Sequence, residues 1–128
     1  LSSSSAASDV YKRQGMEAVM QELIPNYEQQ KTKELEKRSA VYFANQLSKE
    51  TPILIVHGSS DWRVKSTQAY QIAMKLDELR IPYRLKIYEG ADHAISQFKP
   101  DLNREVKDWF TRFLKEGEAV PKMEYHGK

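Results

Sequence analysis

Residues 53–64, ILIVHGSSDWRV, decide how this chain folds, and residues 85–95, LKIYEGADHAI, repeat their design. Each is an apolar, β-branched run that ends in a Gly-containing turn and then presents one side chain suited to proton chemistry, Asp61 in the first and His93 in the second. Residues 52–56, PILIV, are continuously apolar instead of alternating. That predicts a strand covered on both faces of a parallel sheet, with Pro52 at its first position. Tyr83 to Tyr88 predict a second strand, in which Leu85 and Ile87 alternate with Arg84 and Lys86. One face of it should be less covered, and the strand should lie toward the sheet's edge. Between them Ser66 is expected to cap a helix whose Ala69, Ile72, Ala73, Leu76 and Leu79 form one stripe, ended by Arg80-Ile81-Pro82. Strand, helix and strand in this order give a βαβ unit with parallel strands and a right-handed crossover.

Working outward, Met16, Val19, Met20 and Leu23 recur at helical spacing from Gly15 until Pro25 interrupts. Residues 26–38, NYEQQKTKELEKR, are polar on nearly every face and are expected to form a solvated helix or loop. Ser39 can cap a brief helix carrying Val41, Tyr42, Phe43 and Leu47. A last helix should place Leu102, Val106, Trp109, Phe110, Phe113 and Leu114 on one face and stop near Gly117. Residues 1–14, LSSSSAASDVYKRQ, resemble translated adaptor sequence and have no periodicity, so they are set aside as a non-native or disordered leader. Residues 15–117 then form the structured portion, and 118–128 a mobile tail.

The chain has 128 residues, whereas α/β architectures of this kind usually run to about 200 to 250 residues as one unit. A partial domain is therefore expected. A net charge of +2 is too small to argue for a polyanionic partner. The basic set Lys75, Arg80, Arg84 and Lys86 is diluted by Asp77, Glu78 and Glu89, so it reads as solvated surface and no nucleic-acid partner is expected. Cysteine is absent, which removes thiolate catalysis and Cys-based zinc sites and leaves the compartment open. The three histidines lack metal-ligand spacing, no glycine-rich phosphate cradle follows either strand, and no metal is expected. No apolar stretch approaches the roughly 18 residues of a membrane span.

In an open parallel sheet, catalytic groups collect on the loops beyond the carboxyl ends of the strands. Asp61 lies five residues past Val56 and His93 five past Tyr88, so parallel strands put both on one sheet edge. Nucleophilic acyl transfer needs such a pair. A serine hydroxyl becomes a nucleophile when an imidazole accepts its proton, and a carboxylate fixes the imidazole's tautomer and stabilises the imidazolium. Each residue alone is as well explained by a turn or by solvated surface. Their shared edge and their order, acid before base, favour the catalytic pair.

TPILIVHGSSDWRV, with its H-G-x-x-D-x-x-V pattern, resembles the acid-bearing strand and loop of the prolyl oligopeptidase family of serine peptidases. IPYRLKIYEGADHAI is similar to that family's final strand and histidine loop, and VKDWFTRFL to its closing helix. The likeness covers about residues 16–115 and implies the C-terminal part of an α/β-hydrolase fold, with parallel strands and flanking helices. It implies Asp61 as triad acid and His93 as triad base, Arg63 on a substrate carbonyl, and Val64 lining the pocket for the side chain before the scissile bond. It also implies a peptide substrate and no cofactor. Trp62 either shapes a substrate pocket or packs under its loop, and His57 is a turn residue, not the base.

Two departures stand out. Ala94 replaces the family's usual glycine after the histidine, which is tolerable if that backbone avoids positive φ. No serine satisfies G-x-S-x-G; Ser60 has Gly58 two positions before it but Trp62 two after. The nucleophile is expected upstream, and these 128 residues alone are expected to be inactive. A carboxylesterase sharing the triad, or a non-catalytic hydrolase-like interaction domain, are the alternatives.

Overall fold

The computed structural model describes residue 15 and residues 17–127. The chain divides into two compact units, Leu1–Tyr42 and Phe43–Lys128.

In the first unit, helix α1 (residues 17–23) ends as expected before Pro25, and Asn26, at φ 60°, turns the chain into α2 (Tyr27–Glu36). The polar run is helical but not solvated throughout. Tyr27 is buried, and Glu34, buried to 8 % exposure, is clasped by Lys37 Nζ at 2.8 Å and Arg38 Nη1 at 2.7 Å. A buried carboxylate is tolerated because both its partners are cationic. Helix α3 (Ala40–Phe43) follows, its last residue opening the second unit, to which a 3₁₀ turn (Ala44–Gln46) belongs. Tyr42, Phe43 and Leu47 are exposed.

In the second unit, β1 (Ile53–Gly58) and β2 (Tyr83–Tyr88) pair in parallel, Ile53 opposite Tyr83 through to Gly58 opposite Tyr88. Strand β1 starts one residue later than its sequence predicts and runs two residues further. Side chains alternate between the faces, and apolar residues pack on both. On one, Ile53, Ile55 and Tyr83 pack against a core of Ala44, Leu76 and Ile81. On the other, Val56 packs with Tyr88, Ala91, Ile95, Phe98 and Leu102.

Helix α4 (Ser66–Glu78) presents the expected stripe, with Ala69, Ala73 and Leu76 buried and Ile72 and Leu79 partly so. Ser66 is its first helical residue, not its cap; Lys65 holds the cap position without a side-chain bond. At its far end Arg80, at φ 56°, closes a Schellman motif: Ile81 N–H donates to Leu76 O at 2.9 Å and Arg80 N–H to Asp77 O at 3.1 Å. The chain thereby enters β2 with Ile81 already packed on Leu76.

The charged face of β2 is partly covered: Arg84 stays exposed, as expected, while Lys86 is half-buried. Helix α5 (Lys99–Phe110) offers Glu105 to Arg84 at 2.7 Å, Asp101 and Glu105 to Lys86, and Asp101 to the Tyr88 hydroxyl at 3.0 Å. Trp109 is buried on α5, its indole N–H reaching Pro52 O at 3.4 Å. Phe110 and Leu114, predicted to share that stripe, are 55 % and 75 % exposed, because each is offset by about 100° from Trp109 and Phe113 on a helical turn. A π-helical turn (Thr111–Lys115) carries the chain to Gly117, at φ 62°. Beyond it Glu118 pairs with Arg112 through two bonds of 2.7 and 2.6 Å, and the Arg80 guanidinium stacks 4.2 Å from the Tyr125 ring. Among the described residues no helix is long and apolar enough to cross a membrane.

Candidate active site

Asp61 follows the end of β1 by three residues. Its Oδ1 accepts the backbone N–H groups of Arg63 at 2.8 Å and Val64 at 3.0 Å. An aspartate bonding two residues on is the local preference of that side chain in turns, and here it fixes the carboxylate with Oδ2 free to face the second loop. The Asp61 side chain is 3 % exposed.

The second loop is built to deliver His93 to that oxygen. Gly90, at φ 67°, turns the chain out of β2. Asp92 then collects Ser96 N–H on Oδ1 at 3.0 Å and Ile95 N–H on its carbonyl at 3.1 Å. Ile95 sits at φ 52°, a left-handed conformation unusual for a β-branched residue, and is held there by burial against Tyr88 and Ala91. The Ala94 backbone is not at positive φ, so a non-glycine residue fits.

The two loops are stitched together by Ser59 N–H to Tyr88 O at 2.9 Å, Ser60 N–H to Ala91 O at 3.0 Å, and Gly90 N–H to Ser59 Oγ at 2.7 Å. His93 Nδ1 then lies 2.7 Å from Asp61 Oδ2, with the imidazole about half exposed. Burial pushes the Asp61 carboxyl up, but the hydrogen bonds from Val64 N–H, from His93 and from Arg63 N–H outweigh it and hold the group below its ordinary range. An ionised carboxylate only accepts, so Nδ1 of His93 is the donor. The neutral ring consequently keeps its lone pair on Nε2. This imidazole can take a proton from a hydroxyl or water at Nε2 while Asp61 stabilises the resulting cation.

The remaining sequence candidates cluster on the acid loop. Trp62 is 56 % exposed, so it does not pack beneath the loop, and the Arg63 guanidinium stacks 5.0 Å from its ring centroid. Val64 is half-buried. His57, placed as a turn residue by the resemblance, bonds through Nε2 to the Val64 carbonyl at 2.9 Å and lies 3.4 Å from Asp61 Oδ2. Hydropathy and periodicity do not reveal that contact or the tight crossing of the histidine loop over Gly58; the H-G-x-x-D pattern marks both positions.

Comparison with known proteins shows the family of the chain. The family model "Prolyl oligopeptidase family" matches residues 5–117. The chain is 31 % identical over 90 residues to "Dipeptidyl peptidase family member 6" of Caenorhabditis elegans. That alignment covers 68 % of this chain and 12 % of the relative, so the chain spans about an eighth of that protein's length. No solved structure matches the chain.

Proposed function

The chain belongs to the prolyl oligopeptidase family, a family of serine-peptidase-type hydrolases, and on that premise we propose that it carries the acid and base of a Ser-Asp-His triad that cleaves peptide bonds. Its two strands and flanking helices are a portion of the α/β-hydrolase fold of that family. The observation that carries the proposal is the 2.7 Å contact from His93 Nδ1 to an Asp61 carboxylate fixed by two backbone donors.

In the proposed reaction a serine hydroxyl, contributed by protein outside these 128 residues, attacks the scissile carbonyl as Nε2 of His93 takes its proton. The tetrahedral oxyanion collapses, His93 returns that proton to the leaving amine, and an acyl-enzyme remains. Water then attacks the ester by the same route, its proton passing through His93 back to the serine. Asp61 stays ionised throughout. In this reading Arg63, exposed on the Asp61 loop, holds a substrate carbonyl, and Val64 and Trp62 line the adjoining surface.

The complete protein should hydrolyse a chromogenic peptide, and Asp61→Asn should lower kcat by about 10⁴-fold with little change in KM, because the wrong His93 tautomer then faces the serine. The 128-residue chain by itself should turn over neither peptide nor ester. Activity of the Asp61→Asn protein at the parent's level would exclude the assignment.

A further inference from the structure

We propose that His57 is a positioning residue of this site, holding the Asp61 loop in register with His93 through the Val64 peptide. The inference rests on the Asp61–His93 pair acting as acid and base. A carbonyl oxygen can only accept, so the 2.9 Å contact between His57 Nε2 and Val64 O requires the proton on Nε2. Nε2 also lies 3.4 Å from Asp61 Oδ2, close but not hydrogen-bonded to it. The His57 side chain is 14 % exposed, so water competes little for either contact.

These bonds form a continuous chain from His57 to His93. Val64 N–H donates to Asp61 Oδ1, Val64 C=O accepts from His57, and Asp61 Oδ2 accepts from His93. Val64 is therefore pinned on both sides of its Cα, once by the acid and once by the last side chain of β1 before the glycine. Ser59 and Ser60 are tied to the histidine loop by backbone bonds, and past Asp61 the polar contacts of Arg63 and Val64 hold the loop. Ser59, Ser60, Trp62, Arg63 and Lys65 are all exposed, so apolar burial cannot set its position. A side chain that fills the same volume without an N–H would leave the Val64 carbonyl unpaired and allow Asp61 to drift with it.

The test is a proton NMR spectrum of the chain with ¹⁵N-labelled histidine, following the His93 Nδ1–H, which a carboxylate partner shifts far downfield of the amides and shields from exchange. His57→Gln can place an amide N–H where Nε2 stood, whereas His57→Asn is one methylene shorter and His57→Leu offers no donor. The signal should persist in His57→Gln and disappear in His57→Asn and His57→Leu, with far-UV circular dichroism unchanged. Should the leucine variant fail to fold, the Gln and Asn variants decide alone. Persistence of the signal in His57→Asn, or its loss in a folded His57→Gln protein, overturns the role of His57 and leaves the acid–base pair standing. Absence of the signal in the unmodified chain overturns the pair itself, and this inference with it.

Discussion

The backbone of Ala91 passes so close over Gly58 that a Cβ on the glycine would stand 2.4 Å from the Ala91 carbonyl oxygen, with the Asp92 carbonyl oxygen equally near. No side chain can yield there, because both obstacles are backbone. The histidine loop therefore rests directly on the end of β1, and that contact sets how far His93 stands from Asp61.

Gly58→Ala should consequently displace the loop that carries His93. The expected cost is about 1–3 kcal/mol or more of stability, the range for overpacked sites, together with loss of peptide hydrolysis by the complete protein. Thermal melting and steady-state kinetics read the two effects. A variant that melts and turns over like the parent would show that the crossing is looser than described.

Ile95 provides an internal gauge of strain in the same loop. Its φ of 52° disfavours any side chain with a Cβ by roughly 1–2 kcal/mol, while its burial argues for keeping one. Comparing Ile95→Ala with Ile95→Gly removes the burial from both and leaves the strain in one. Glycine should be the more stable by about 1 kcal/mol in urea titrations. Alanine equal to or better than glycine would contradict a left-handed residue at this position.

Much of the site's placement was legible in the sequence because it follows from topology. A continuous apolar run at 53–56 and an alternating one at 83–88 demand strands, a helical stripe between them demands a parallel pairing, and a parallel pairing puts Asp61 and His93 on one edge. What was not legible depends on single tertiary contacts. Lys86 looks solvent-facing by alternation, yet α5 brings Asp101 and Glu105 over it, while Arg84 pairs with Glu105 and stays exposed. Phe110 and Leu114 are expected on the apolar face of the last helix, yet they lie off the stripe that Trp109 and Phe113 share. Glu34 looks like one charge among many until Lys37 and Arg38 close over it.

The ion pairs between β2 and α5 predict how stability depends on pH. Lys86, with Tyr88, holds the Asp101 carboxyl at about 2, below its ordinary 3.8. A carboxyl depressed on folding stabilises the folded chain fully above 3.8 and loses that contribution as pH falls toward about 2. Lys86, raised chiefly by Asp101, contributes in full below its ordinary 10.5 and loses its contribution as pH climbs past that value. Asp101→Asn should therefore flatten the stability profile below pH 3.8 in denaturant titrations. An unchanged acid limb in that variant would mean the pair does not couple to folding.

Arg63 separates the side chain's role from the backbone's. Arg63→Ala keeps the N–H that Asp61 accepts at 2.8 Å and removes only the guanidinium. If that group holds a substrate carbonyl, kcat/KM for a peptide should fall about tenfold to a hundredfold, as for a lost charged hydrogen bond, with a smaller loss for a short ester. Equal losses on both substrates would detach Arg63 from the peptide backbone.

The most direct test of the account is a double-mutant cycle on kcat in the complete protein, using Asp61→Asn, His93→Gln and the two combined. Residues that act as one proton-handling unit are not additive, so the double variant should be no slower than His93→Gln alone. If the two losses instead multiply, Asp61 and His93 act independently, and the 2.7 Å contact between them is not the acid–base pair of a triad.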